Sequence, residues 1–296
     1  MTIVGRRSPG DKIFDTCNAI LMVLFCITIL YPVWHVAVVS FSTAEKANEL
    51  GLKILPNPAS MASYRAIFKT STLGIAYGNT ILRTIIGTGL TVFFKMCMAY
   101  GLSKKKMPLR NGITTMLLVT MFFSGGLIPT YFLVRNLRIY DTFWALVIPG
   151  MLDAYTIFIA RNFVMSLPDS LEESAIIDGA NEVRVFFQII LPLCIPIVAV
   201  LSLWGVVANW NAWFDALVYT RKRDLLTLQL LLRQMLIESQ SSVFLENEVG
   251  GGRDYAINRE TYNAATIMVT IGPIILAYPF AQRFFIKGIM VGSLKG

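Results

Sequence analysis

The sequence predicts an all-α polytopic membrane protein, with six transmembrane helices and a cytoplasmic helix–turn–helix loop between the fourth and fifth. Three observations carry that prediction. Of 296 residues, 55% are hydrophobic and only 15% charged, where an ordinary soluble domain carries about 25% charge. Apolar runs recur at the ~20-residue length that a helix needs to cross about 30 Å of hydrocarbon. The runs are continuous, without the apolar/polar alternation over about ten residues that marks a barrel strand.

The runs extend roughly from Ile13 to Ser40, Ala76 to Ser103, Gly112 to Val134, Thr142 to Val164, Pro192 to Leu217 and Tyr262 to Phe284. The first follows Arg6, Arg7 and Lys12 and exceeds the roughly 7–15-residue core of a signal peptide, so it reads as a retained span. An even number of spans puts both termini on one side, and residues 1–296 read as a single transmembrane domain. Lys and Arg divide evenly between the two sides. The densest cationic knot, Lys104-Lys105-Lys106, lies close to a span end, where the positive-inside rule is strongest, and this favours a cytoplasmic N-terminus. The net charge of +8 is therefore read as membrane anchoring rather than nucleic-acid binding.

Composition also narrows the chemistry. Cys17, Cys26, Cys97 and Cys194 all sit in apolar stretches, without a C-x-x-C and with His35 as the single imidazole, so they read as buried small hydrophobes rather than zinc ligands. His35, next to Trp34, reads as a structural histidine, with a proton relay as the competing role. No G-x-x-x-x-G-K-[ST] is present, so the chain carries no ordinary cradle for ATP phosphates, and neither H-E-x-x-H nor G-x-S-x-G occurs.

The loop of residues 166–191 is unlike the other cytoplasmic segments. Asp169, Glu172, Glu173, Asp178 and Glu182 face only Arg184. After Pro168, Ser170 is expected to cap a helix, with Glu173 completing a capping box. Gly179 can take the left-handed conformation that ends the helix, and Asn181 offers the cap for a second helix that runs to Pro192. An interfacial amphipathic helix is usually rich in Lys and Arg, so this acidic element fits a basic, concave protein surface better than anionic lipid.

Glu173-Ser174-Ala175, three residues, Gly179, nine residues and Ile189-x-Leu191-Pro192 together resemble the E-A-A…G…I-x-L-P signature of the permease subunits of bacterial ABC importers. Ser174 replaces the first Ala of that signature, a small-for-small change. The longer stretch Glu172-Glu173-Ser174-Ala175-x-x-Asp178-Gly179-Ala180 is similar to the carbohydrate-uptake branch, the smaller maltose-type permease. Asn79 to Thr84, Ala99 to Lys104 and Phe123 to Thr130 resemble its oligosaccharide and polysaccharide members. The resemblance implies a coupling helix that docks in a cleft of a cytoplasmic ATP-hydrolysing subunit, with Glu173 as its ion-pairing residue. It also implies a heterodimer with a second permease, two nucleotide-binding subunits that hold ATP and Mg, and an external substrate-binding protein. No cofactor is expected on this chain.

Ionisable groups within a span cost about 2.5–3.5 kcal/mol on insertion scales, so Arg83, Lys95 and Asp153 each require a partner or a water-facing role. Arg83 lies one turn after Asn79 on a shared helical face, and a structural pairing with an acid such as Asp153 competes with a substrate-path role. Lys95 lies nearer the inner end, where it can snorkel. Asn209, Trp210, Asn211 and Asp215 combine an aromatic face with planar amides and a carboxylate, the groups that bind sugars. For Trp213 and Phe214 an aromatic belt at the outer interface competes with that role. The segment 220–261, with Gly250-Gly251-Gly252, reads as an external loop reaching toward the binding protein, with a plain spacer as the alternative. The rivals are the same machinery for a non-sugar solute and an ion-coupled secondary transporter. Arg83 and Lys95 also raise an acidic cargo such as a uronate oligomer.

Overall fold

The computed structural model describes residues 9–238 and 258–275, except positions 48, 50, 52, 57 and 70. The chain forms two compact units, Met1–Thr70 with Met235–Ile271, and Ser71–Gln234 with Gly272–Gly296. The described residues are helical apart from loops and one isolated antiparallel bridge between Ser42 and Ala59.

The first unit contains α1 (Pro9–Ser40), α2 (Ala44–Ala47), α3 (Ala62–Lys69) and most of a helix over 259–275. From Ile13 to Val33 the large aliphatic and Phe side chains of α1 are about half exposed or more, and among the described residues none buries that stretch. Its end is anchored. Ser40 Oγ lies 2.8 Å from the Tyr64 hydroxyl, Phe41 stacks on Tyr64, and Val39, Ala47 and Ala264 pack together. Asn258 caps the helix over 259–275, its side chain accepting from the Thr261 N–H at 2.9 Å while Thr261 Oγ1 accepts from the Asn258 N–H. The last part of the expected sixth span, 276–284, lies outside the described residues, as do 239–257 with the glycine run.

The second unit is built on α4 (Ser71–Ser103), which starts five residues before the expected span. Next come α5 (Arg110–Phe122), α6 (Leu127–Asn136), α7 (Ala154–Met165), α8 (Ser170–Ile177), α9 (Glu182–Val185), a π turn (Phe186–Ile190) and α10 (Leu191–Leu193). Then come α11 (Ile195–Asn211), α12 (Phe214–Tyr219) and α13 (Leu228–Glu238), which belongs to this unit as far as Gln234. α4 is flanked by α7 and α11, and the core joins Met96, Ala99 and Tyr100 of α4 to Ala160, Val164, Val185, Phe186, Ile190, Cys194 and Leu201.

Three of the expected spans are interrupted. Gly125-Gly126 breaks the third, with Gly126 at φ 84 and its N–H donating to Ser124 Oγ. In the fourth, Phe143–Leu146 is a 3₁₀ turn and the α-helix begins only at Ala154, after Pro149-Gly150. The fifth is bent by 80° between Glu182–Leu193 and Ile195–Asn211. Pro192 and Pro196 lack the N–H groups that would continue the ladder there, and the Leu191 N–H reaches Phe186 in the wider π pattern. Among the described residues, two helices, α1 and α4, are individually long and apolar enough to cross a membrane, with a third if the bent pair is counted as one span. Part of the expected external loop is ordered secondary structure, since Arg223–Leu225 is a 3₁₀ turn and α13 follows.

Candidate functional site

The acidic loop folds as helix, turn and helix. The first helix begins at Ser170 itself, with Asp169 in the cap position and making no side-chain capping bond, so the expected Ser170/Glu173 capping box does not form. Ser174 Oγ instead donates to the Ser170 carbonyl at 2.8 Å. The other end follows expectation. Gly179 adopts φ 86, and the Gly179 N–H donates to Ile176 and the Ala180 N–H to Ala175, which satisfies the last carbonyls of α8. Asn181 caps α9, accepting from the Arg184 N–H at 2.8 Å.

This geometry sorts the loop residues by direction. Ala175 and Ala180 pack against the core, where a larger side chain would hold α8 off the bundle. Glu172 and Glu182 turn back toward α4. The Tyr100 hydroxyl donates to Glu182 at 3.0 Å and reaches Glu172 at 3.4 Å, and Lys104 pairs with Glu172. Asp169, Glu173, Ser174 and Asp178 remain exposed beside Leu171, Ile176 and Val183, with Ile177 84% exposed. Four bare aliphatic side chains rimmed by three carboxylates suit a basic, partly apolar cleft.

The candidate path residues lie along α4 and its partners. Asn79 donates to the Asp224 and Leu226 carbonyls at 2.6 and 2.9 Å and so holds the segment after α12. Arg83, with 5% of its side chain exposed, forms a two-pronged pair with Asp215 rather than with Asp153, and also donates to the Ala212 carbonyl. Lys95 does not snorkel. It pairs with Asp153, whose carboxylate also accepts from the Thr156 N–H and caps α7. Asp153 is the open member, 48% exposed against 9% for Lys95.

The polar residues of α11 divide in the same way. Asn209 is held between helices, its amide donating to the Gly205 carbonyl at 2.9 Å and to Thr88 Oγ1 at 3.5 Å. Trp210 is buried with its indole N–H unpartnered, whereas Asn211 is exposed and meets Gln229 at 3.5 Å. Trp213 is not a bare belt residue. It packs into the cluster of Leu146, Ala216 and Leu230, with the Arg233 guanidinium 3.7 Å above its ring. Phe214 is 48% exposed.

Sequence reasoning passed over two features. Tyr100 and Lys104 were legible only as part of a motif, because their partners lie about seventy to eighty positions away along the chain. At the opposite end of α4 from α8, Arg135, Arg138, Arg221, Lys222 and Arg223 form an exposed cationic group. Asp141 braces it, accepting from the Arg221 and Lys222 N–H groups at 2.8 and 3.0 Å. Those two donors, Arg221 first, hold the Asp141 carboxyl below the usual carboxylate range. Arg138 and Asp141 both adopt left-handed backbone conformations, φ 57 and 59. Among the described residues no group of acidic, His and Cys side chains is arranged to hold a metal.

The sequence of the family described as binding-protein-dependent transport system inner membrane component matches residues 2–290. The chain belongs to that family. A polygalacturonan/rhamnogalacturonan transport system permease of Bacillus subtilis is 36% identical over 97% of this chain and 99% of its own length. An arabinooligosaccharide transport system permease of Halalkalibacterium halodurans is 26% identical over 90% and 91% of the two chains. Among solved structures, a chain of a bacterial ABC transporter that imports the acidic polysaccharide alginate superposes with a TM-score of 0.89 at 28% identity, covering 95% of this chain and all of that one.

Proposed function

We propose that this permease forms one half of a heterodimeric pore importing an acidic oligosaccharide or polysaccharide, driven by ATP hydrolysis on partner subunits. It acts as one six-span domain with both termini in the cytoplasm, α8 serving as coupling helix and the 220–261 segment facing an external binding protein. ATP and Mg belong to the two nucleotide-binding subunits. Alternating access requires the inward and outward states to bind substrate differently, because equal affinity shifts no population.

The coupling assignment rests on the exposed, acid-rimmed aliphatic face of α8, whose C-terminal end is closed by the Gly179 and Ala180 N–H groups. The cargo assignment rests on the relatives, because polygalacturonan is by its chemistry a polyuronate and alginate is an acidic polysaccharide. Arg83 and Lys95 add little to it, since Asp215 and Asp153 already neutralise them. The cationic group around Arg138 and Lys222 supports an anionic solute or partner at the outer mouth.

Two measurements test the reading. Purification from the native membrane, with wild type and with Glu173→Lys, is expected to retain the ATP-hydrolysing subunits and second permease only with wild type. A chain that comes down alone, unaffected by the reversal, brings the ion-coupled transporter forward. In the reassembled importer, uronate oligomers are expected to stimulate ATP hydrolysis where neutral oligosaccharides of the same length do not. The reverse preference removes the acidic cargo.

A further inference from the structure

We propose that Tyr100 and Lys104, at the C-terminal end of α4, form a second arm of the coupling machinery, strapping the acidic loop to α4 so that its displacement enters that helix directly. This rests on reading α8 as the helix that meets the ATPase subunits. The loop joins the membrane helices at two ends, through residues 166–169 to α7, and through α9, the π turn and the 80° bend into α11. A bend with a π turn beside it is a poor lever on its own, because its backbone bonds are the ones most easily rearranged.

The strap bypasses the bend. The Tyr100 ring is buried against Phe186 at 5.2 Å, and its hydroxyl donates to Glu182 of α9 at 3.0 Å. A phenol has one proton, so it cannot donate fully to Glu172 at the same time. Lys104 supplies what is missing. It pairs with Glu172 of α8 and holds its ammonium 4.2 Å from the Tyr100 ring centroid. One tyrosine and one lysine, a single turn apart, thereby hold both helices of the loop and the first residue of the π turn.

The carboxylates of the loop thus have two jobs. Asp169, Glu173 and Asp178 face outward, while Glu172 and Glu182 face α4. The helix they grip is the one that pairs with Asp153 at the start of α7 through Lys95 and lies against Asn209 of α11 at Gly87. A pull at Tyr100 therefore acts on the helix to which both path-lining neighbours are fastened.

The test uses the complete importer, with second permease, ATPase subunits and binding protein, in lipid vesicles, and reads substrate moved per ATP hydrolysed. Tyr100→Phe keeps the ring and removes the hydroxyl. It is expected to assemble with the ATPase subunits and lower that ratio about tenfold, the scale of one lost hydrogen bond to a charged group. Lys104→Glu and Glu172→Lys are each expected to lower it, and the two together to restore most of it. A wild-type ratio in Tyr100→Phe, or no recovery in an assembled charge-swapped pair, overturns the strap. Loss of assembly in Tyr100→Phe makes the tyrosine a folding residue and overturns it as well. Failure of the wild-type chain to retain any ATPase subunit instead strikes the coupling assignment itself.

Discussion

Substituting Gly87 by Ala tests how closely α4 and α11 are fitted. In an isolated helix the change would stabilise by about 0.8–1 kcal/mol. Here a Cβ at Gly87 would lie 2.7 Å from Asn209 Oδ1, 3.1 Å from its Cγ and 3.2 Å from its Nδ2. The amide must rotate out of its 2.9 Å bond to the Gly205 carbonyl, or the helices must part. Overpacking of this kind costs about 1–3 kcal/mol, and a polar contact between membrane helices averages about 0.6 kcal/mol. Set against the propensity gain, the net loss is about 1–2 kcal/mol. In an Asn209→Ala background the obstruction is gone, and the same substitution becomes neutral or stabilises by up to about 1 kcal/mol. The two sites are thus coupled by about 2 kcal/mol, measurable as a double-mutant cycle from reversible unfolding of the purified permease pair in mixed micelles. Equal costs of Gly87→Ala in both backgrounds, within about 0.5 kcal/mol, would refute the fit described here.

Arg83→Met leaves the partly buried Asp215 carboxylate without its guanidinium; breaking a fully buried pair costs about 3–5 kcal/mol, and less is expected here because Asp215 is 24% exposed. Arg83→Met with Asp215→Leu should recover much of that loss in the same unfolding assay. Gly179→Ala places a methyl where nothing lies within 4 Å, so its effect is backbone strain alone, about 1–2 kcal/mol at φ 86, and Gly179→Asn should cost less. The Asp141 brace is pH-dependent. Its folded carboxyl titrates below the unfolded one, so its contribution is complete at neutral pH and is lost as pH falls through the folded value, below the usual carboxylate range. Hydrogen exchange at the Arg221 and Lys222 amides, corrected for intrinsic rates, should accelerate there in wild type and already at neutral pH in Asp141→Ala.

The sequence made the loop most legible, because its signals are local. Gly179 and Asn181 behave as their backbone chemistry requires, and the miss at Ser170 is a shift of one residue at a helix start. Span continuity was less legible. Apolar composition runs unbroken through Gly125-Gly126 and Pro149-Gly150, so hydropathy hid breaks that the dipeptides themselves announce. Asp153, three residues before Thr156, also had the form of a helix cap inside an apolar run. Which acid neutralises which cation was not readable, because Arg83 and Lys95 lie twelve positions apart on α4 and their partners come from different elements. Tyr100 and Lys104 needed the same long-range information.

The broken helices bear on what this chain does alone. Non-helical backbone at membrane depth survives only where protein covers it or water reaches it. On the six-span reading, the Phe123–Gly126 turn, the stretch from Val147 to Asp153 and the Ala212–Trp213 turn all fall within spans. Phe123 is 74% exposed, and Ile148 and Leu152 more than 40%, so the described residues of the second unit leave the first two of these breaks partly open. α1 makes the same demand, its large aliphatic and Phe side chains from Ile13 to Val33 being uncovered among the described residues. Lipid can solvate the α1 side chains, because that helix satisfies its own backbone. It cannot solvate the turns. Further protein or a water-filled path must face them, either of which is consistent with the half-pore proposal.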